Sequence, residues 1–176
     1  MRRRYPTAVF LCVAGLALMT GISTPKHSPS KTNPDTSAKD RAGIEDLRRL
    51  DIQTTLTDKA DELTKLWDND AVRMQPGVPA EVTKAVIYEN DKHWEASNLA
   101  SKTLCYKTEM KDLQLAGDWA FEWGYFSYRN SKESTLGQGK VLRVMRRQPD
   151  DSWKFARVMG FPEKEASAAP MSDPCR

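Results

Sequence analysis

An α+β fold is predicted, with helices packed against one face of a curved antiparallel sheet. Three observations predict it. Apolar residues recur at helical spacing through residues 44–67 and again, more loosely, through 84–95. After Asn98 the period changes to two, over four long stretches of alternating side chains. Turn residues punctuate those stretches, with Gly117-Asp118 after the first and Gln148-Pro149-Asp150-Asp151 before the last.

The helical part begins with Ile44, Leu47, Leu50 or Asp51, Thr54 and Leu56 on one stripe. A second short helix follows in DKADELTKLW, where Asp58 stands at the N-cap position and Glu62 and Lys65 fall in the first turns. DAVRM reads as a short strand, and QPGVPAEV as a loop set by Pro76, Gly77 and Pro79. In the third helix, residues 84–95, Val86 or Ile87, Asn90 and Trp94 mark the inward side.

The strands follow as LCYKTEMKDLQLAG, WAFEWGYFSY, GKVLRVMRR and SWKFARVMGF. In the second of these, Trp119, Phe121, Trp123 and Tyr125 lie on one face. Ala120, Glu122, Gly124, Phe126 and Tyr128 lie on the other. Large side chains on both faces predict a strand covered by helices on one side and by a sheet or a partner on the other. Proline at the second position of the last turn suits type I geometry.

The ends have a different character. MRRRYP followed by TAVFLCVAGLALMTGI has the charge order of a secretory leader, and the apolar run is short for a membrane span. Residues 1–23 are therefore expected to be a signal peptide, and the mature protein to be secreted or periplasmic without stable membrane insertion. Retention of the segment as an anchor is the alternative. Residues 24–43 and 162–176 carry few large apolar side chains and are expected to be a flexible linker and a flexible tail around a domain spanning 44–161.

Charge excludes one class of function. The chain has 27 Lys and Arg against 24 Asp and Glu. Loss of Arg2, Arg3 and Arg4 with the leader balances the two, so no concentrated positive field remains to bind nucleic acid. Two cysteines lie outside the leader, Cys105 and Cys175. Export permits a bridge between them, and two unrelated thiols is the other reading. No CxxC or His/Cys cluster points to a metal, and no nucleotide loop or Ser-His-Asp order points to a cofactor or a hydrolase.

LWDNDAVRMQPG after the second helix, GDWAFEWGYFS in the middle and RVMRRQPDDSWKFARVMGF at the end resemble the SnoaL-like branch of the nuclear-transport-factor-two-like superfamily. Ketosteroid isomerase is in the same superfamily. The resemblance covers about residues 44–161. It implies a cone, with a bent sheet wrapped round helices and an apolar cavity open at one end, commonly paired as a homodimer through the sheet. It implies no single activity.

An isomerase of this type uses a carboxylate base and an oxyanion hole of a Tyr and a protonated Asp. Carried onto this chain, the base position falls on Gln75, an amide without useful basicity. The Tyr position falls near Asp51, and the strand expected to bring the second acid offers Arg143 and Arg147. Ketosteroid isomerisation is therefore not expected.

The polar residues left for a cavity are Glu122, an acid within an aromatic strand, and Arg157, a cation between Ala156 and Val158. Gln75 and Trp67 join them as candidate ligand-binding residues. Asp51, His93 and Glu122 are candidate catalytic residues. Each has a plainer reading: an interior salt bridge for Glu122 and Arg157, a loop amide for Gln75, core for Trp67, an exposed helix for His93 and a surface or capping acid for Asp51. The function expected is an exported domain binding a small apolar ligand. The alternative is a small lyase, cyclase or isomerase-like enzyme acting on an apolar carbonyl compound.

Overall fold

The structure is a computed structural model that describes residues 34–97, 102–131, 136–163 and Cys175, with side chains from Ser37 onward. The expected leader, the first part of the linker and most of the tail lie outside the described residues.

Among the described residues, three helices and six strands make up the α+β domain. α1 spans Pro34–Thr57 and α2 spans Ala60–Leu63, continued by a 3-10 turn at Thr64–Leu66. β1 (Trp67–Met74) and the two-residue β2 (Glu81–Val82) precede α3 (Lys84–Ser97). The long strands are β3 (Thr103–Ala116), β4 (Trp119–Asn130), β5 (Gly137–Arg147) and β6 (Trp153–Glu163). They form one curved, unclosed sheet in the order β2-β1-β6-β5-β4-β3.

The sheet is mixed where an antiparallel one is expected, because β1 runs parallel to β6. The other pairings are antiparallel. A parallel neighbour needs a long crossover, and here α3 and the whole β3–β5 meander supply it.

α1 begins at Pro34, inside the segment expected to be linker, so only the part before it remains as a candidate tether. Proline suits a first helical position. Ion pairs, not apolar burial, hold this turn down. Asp40 is buried and accepts from Arg147 Nη2 at 2.6 Å, and Lys39 meets Asp151 at 2.7 Å. One turn on, Gly43 passes Trp153 so closely that a Cβ there would lie 2.8 Å from the indole Cδ1.

Asp58 does not cap α2. It sits at φ 53° after α1, and its carboxylate accepts from the Thr103 N–H (3.0 Å) and hydroxyl (3.1 Å), tying the start of β3 to the end of α1. In α3 the inward residues are Ile87, Asp91 and Glu95, one position beyond two of those expected; Trp94 is exposed. Asp91 pairs with Arg73 of β1 at 2.7 Å, and Arg73 also grips Glu81.

The core lies between α1, α3 and the inner face of the sheet. Ile44, Leu47, Leu66, Trp67, Ala71, Ile87, Ala120, Met145, Trp153 and Phe155 form it. The turn before β6 is as expected: the Asp151 N–H donates to Gln148 O at 2.9 Å. Cys105 and Cys175 are bonded, with Cα atoms 5.5 Å apart, so the end of the chain is tied to β3.

Candidate functional site

The inner face of the sheet is defined by register. β4 and β5 pair without interruption from Trp119↔Arg146 to Tyr128↔Gly137. Ala120, Glu122, Gly124, Phe126 and Tyr128 therefore share the face of Met145, Arg143 and Val141, which the helices cover. Three charged side chains meet there: Glu122 and Arg143 are cross-strand neighbours, and Asp51 descends from α1.

Arg143 joins the two acids. Its Nη2 donates to Asp51 Oδ2 at 2.6 Å, its Nη1 reaches Glu122 Oε1 at 3.4 Å, and its guanidinium lies 5.1 Å from the Phe155 ring centroid. Arg48, one turn before Asp51 on α1, donates Nε and Nη2 to Glu122 Oε2 at 2.9 and 2.5 Å. Its third contact is Nη1 to the exposed Glu45 at 2.8 Å. Glu122 has no exposed side-chain surface, and two guanidiniums against two carboxylates leave the inner quartet neutral. Charges so deep must be paired.

Tyr106 of β3 is the fifth member, directly opposite Tyr128 in the register and within the electrostatic reach of Arg143 and Asp51. Burial raises its hydroxyl pKa far above the ordinary value, Asp51 raises it further, and Arg143 opposes them. Asp51 is likewise pushed up, mainly by burial and then by Glu122, although Arg143 pulls it down. Burial lowers Arg143, but Asp51, Tyr106 and Glu122 outweigh this and hold it above its ordinary value. A neutral phenol thus stands beside the Asp51 carboxylate that Arg143 holds.

Above the quartet a groove of about 430 Å³ opens between α1 and β3, lined by Glu45, Asp46, Arg48, Arg49, Ile52, Thr108 and Met110. A second, wider groove of about 510 Å³ lies between α2, β1 and α3, with Asp61, Lys84 and Tyr88 in its wall. Among the described residues no group of three or more His, Cys, Asp and Glu side chains is placed to hold a metal ion, and no helix is long and apolar enough to cross a membrane.

The structure brings Asp51 and Glu122 together and leaves the other sequence candidates apart. Gln75 is exposed in the loop after β1, beside Gly160 of β6. His93 is exposed on α3. Trp67 is core, tilted against Phe155 with ring centroids 5.7 Å apart.

Arg157 does not face the cavity and does not pair with Glu122. A bulge at Ala156 shifts the register between Met145↔Phe155 and Val144↔Arg157, so Phe155 and Val158 point inward and Arg157 outward. There its Nη1 donates to Asp70 O at 2.9 Å. Sequence reasoning missed Arg48 and Tyr106. Inward parity with Thr108 and Met110 was the available signal for Tyr106; Arg48 has none, because its partner is remote in sequence.

A neutral, helix-covered charge cluster beneath an open groove, inside a curved sheet, defines a small cone domain of the α+β class. Its fold is that of the nuclear-transport-factor-two-like superfamily, as solved structures show. A ketosteroid isomerase-like protein from Erwinia carotovora atroseptica is 22% identical with a TM-score of 0.59, the match covering 70% of this chain and 96% of that one. A nuclear-transport-factor-two-like protein with a cystatin-like fold from Novosphingobium aromaticivorans is 17% identical with a TM-score of 0.60, covering 76% and 88%. A protein of unknown function from Mycobacterium tuberculosis is 16% identical with a TM-score of 0.62, covering 80% and 85%. No family model matches the chain, and no curated protein matches it.

Proposed function

We propose that this is an exported cone domain that binds a small, largely apolar ligand at the groove between α1 and β3, without ketosteroid isomerase activity. The observation that carries this reading is the commitment of both inner-face acids to guanidinium partners. A proton shuttle needs a carboxylate within about 2.6–3.2 Å of the proton it takes. Gln75 cannot serve as that base, and its exposed place in a loop keeps even an acid at position 75 in water.

The test is an assay on a β,γ-unsaturated ketone. Wild type and Gln75→Asp are both expected to isomerise it no faster than background. Turnover well above background by the wild type overturns the reading.

One observation favours a second reading, a lyase or cyclase-like enzyme acting on an apolar carbonyl compound. The Tyr106 hydroxyl, which burial keeps protonated, is a donor suited to a carbonyl oxygen, with Asp51 and Arg143 beside it. Turnover lost equally in Tyr106→Phe and Asp51→Asn, with folding retained, is the result that selects it.

Export is supported by the Cys105–Cys175 bond, since such bonds persist in oxidising compartments. N-terminal sequencing of the exported protein is expected to find a start near Thr24; an intact Met1 in a soluble cytoplasmic fraction contradicts it.

Pairing through the sheet is supported by its outer face. Phe121, Trp123, Leu142 and Phe161 are exposed there, and Trp123, Leu142 and Met159 form one cross-strand row. A contiguous apolar patch of this kind marks an interface, and a twofold pairs it with itself. Sedimentation at micromolar concentration is expected to show a dimer, and Trp123→Glu a monomer. A wild-type monomer with no concentration dependence rejects the pairing.

A further inference from the structure

One face of α1 carries Glu45, Arg48, Arg49 and Ile52, at the spacing that brings side chains together on a helix. This stripe is one wall of the groove between α1 and β3, and Thr108 and Met110 of β3 are the other. The two guanidiniums in the helical wall are held differently. Arg49 is exposed and meets the equally exposed Asp46 at 3.3 Å. Arg48 is anchored from below. Its Nε and Nη2 both donate to Glu122 Oε2, at 2.9 and 2.5 Å, and Glu122 has no exposed side-chain surface. That carboxylate is committed, because withdrawing the guanidinium from it would leave a buried charge short of a partner.

The remaining nitrogen of Arg48, Nη1, is held quite otherwise. It meets Glu45, another residue of the groove wall, at 2.8 Å. The Glu45 side chain is 70% exposed, and an exposed pair one turn apart on a helix contributes little against water. The donor is therefore fixed in place, while its acceptor on the groove side is free to swing into solvent.

We propose that the groove takes a monocarboxylate with an apolar body, and that Arg48 Nη1 binds its carboxylate in exchange for Glu45. This deepens the ligand-binding reading above and rests on it. The ligand gains a charge-assisted hydrogen bond from a guanidinium that is already immobilised. Because Glu45 leaves as the ligand arrives, the charge around Arg48 does not change and the buried pairs beneath are undisturbed. Ile52 and Met110 face the apolar body, and the Thr108 hydroxyl is a further donor in the opposite wall. A dianion such as a phosphate monoester is a poorer fit, since Asp46 shares the wall and one edge of Arg48 is already taken by Glu122.

The experiment uses octanoate and its uncharged counterpart of the same shape, octanamide, titrated calorimetrically at pH 7.5 into the full mature chain with its disulfide intact. Octanoate is expected to bind at least about tenfold more tightly, a ratio within what a hydrogen bond to a charged group supplies. Glu45→Gln removes the competing charge and is expected to tighten octanoate by about threefold while leaving octanamide unchanged. Arg48→Gln is expected to abolish the preference for the acid. Should that variant fold poorly for want of its bonds to Glu122, Glu45→Gln decides alone, since its side chain is exposed and lies outside the core.

Equal binding of the two probes overturns the carboxylate site and leaves the ligand-binding reading standing. So does a preference for octanoate that Glu45→Gln leaves unchanged or weakens, or one that persists in folded Arg48→Gln, because the acid is then held somewhere other than Arg48. Absence of binding by either probe counts against both readings.

Discussion

Arg143→Met is expected to destabilise the protein by about 3–5 kcal/mol at neutral pH, the cost of breaking a buried ion pair from one side. Glu122 keeps both bonds from Arg48, so the orphaned group is Asp51. Asp51 loses the one influence that lowers its pKa, while burial and Glu122 go on raising it. The folded state then binds a proton that the unfolded chain has released, and stability falls as pH rises from about 4, the ordinary carboxylate value, through the folded value.

The defect of the variant is therefore largest at neutral pH and shrinks on mild acidification. Below the ordinary carboxylate value the trend turns over. Asp68 is pushed up by burial but held down more strongly by Arg146, the Asn69 N–H and Gln148, so its contribution is lost as pH falls through its depressed value. Adding Asp51→Asn to Arg143→Met is expected to recover part of the loss and to flatten the pH dependence. Urea melts at pH 5 and pH 7.5 on the two single variants and the double variant measure this directly. Purely additive losses, independent of pH, mean that the two groups do not form a coupled pair.

How far the sequence reveals this site depends on where strands keep their period. β4 has no bulge against β5, so the alternation that sets Glu122 among Ala120, Gly124 and Phe126 translates directly into an inner face. β3 carries a bulge at Lys111. Tyr106, Thr108 and Met110 face inward before it, Leu113 and Leu115 after it, and a single parity cannot describe both halves. β6 hides the same trap. Read with one parity, Phe155, Arg157 and Met159 share a face, but the bulge at Ala156 separates Phe155 from Arg157. Bulges are backbone events with weak local signals.

The start of α1 is a different kind of failure. Residues 34–43 contain too little apolar surface to fold by that criterion, yet Asp40 reaches Arg147 and Lys39 reaches Asp151, both more than a hundred positions away. Arg48 is illegible for the same reason: a cation on an amphipathic helix reads as solvated until the strand carrying Glu122 is laid beneath it. The parallel pairing of β1 with β6 is also a long-range choice that no window of either strand contains.

Reduction of the Cys105–Cys175 bond, or Cys175→Ser, is expected to cost about 4 kcal/mol by the loop-closure entropy of its 70-residue separation. The bond acts mainly on the unfolded chain, which it holds in a loop running from β3 to the C-terminus and containing β4, β5 and β6. Folding has to bring those strands together, and the closed loop gives up less entropy when they meet. The loss is therefore expected to appear as a lower denaturation midpoint with the fold intact, not as a rearranged sheet: the β3–β4 ladder and the Asp58 contacts to Thr103 hold β3 without the bond. Guanidinium melts of the oxidised protein, the reduced protein and Cys175→Ser make the comparison. The reduced form and the serine variant should coincide, both well below the oxidised form. If all three melt together, the bridge constrains nothing in the unfolded chain; if the serine variant loses its native circular dichroism spectrum, the bond holds the native sheet itself and the entropic account fails.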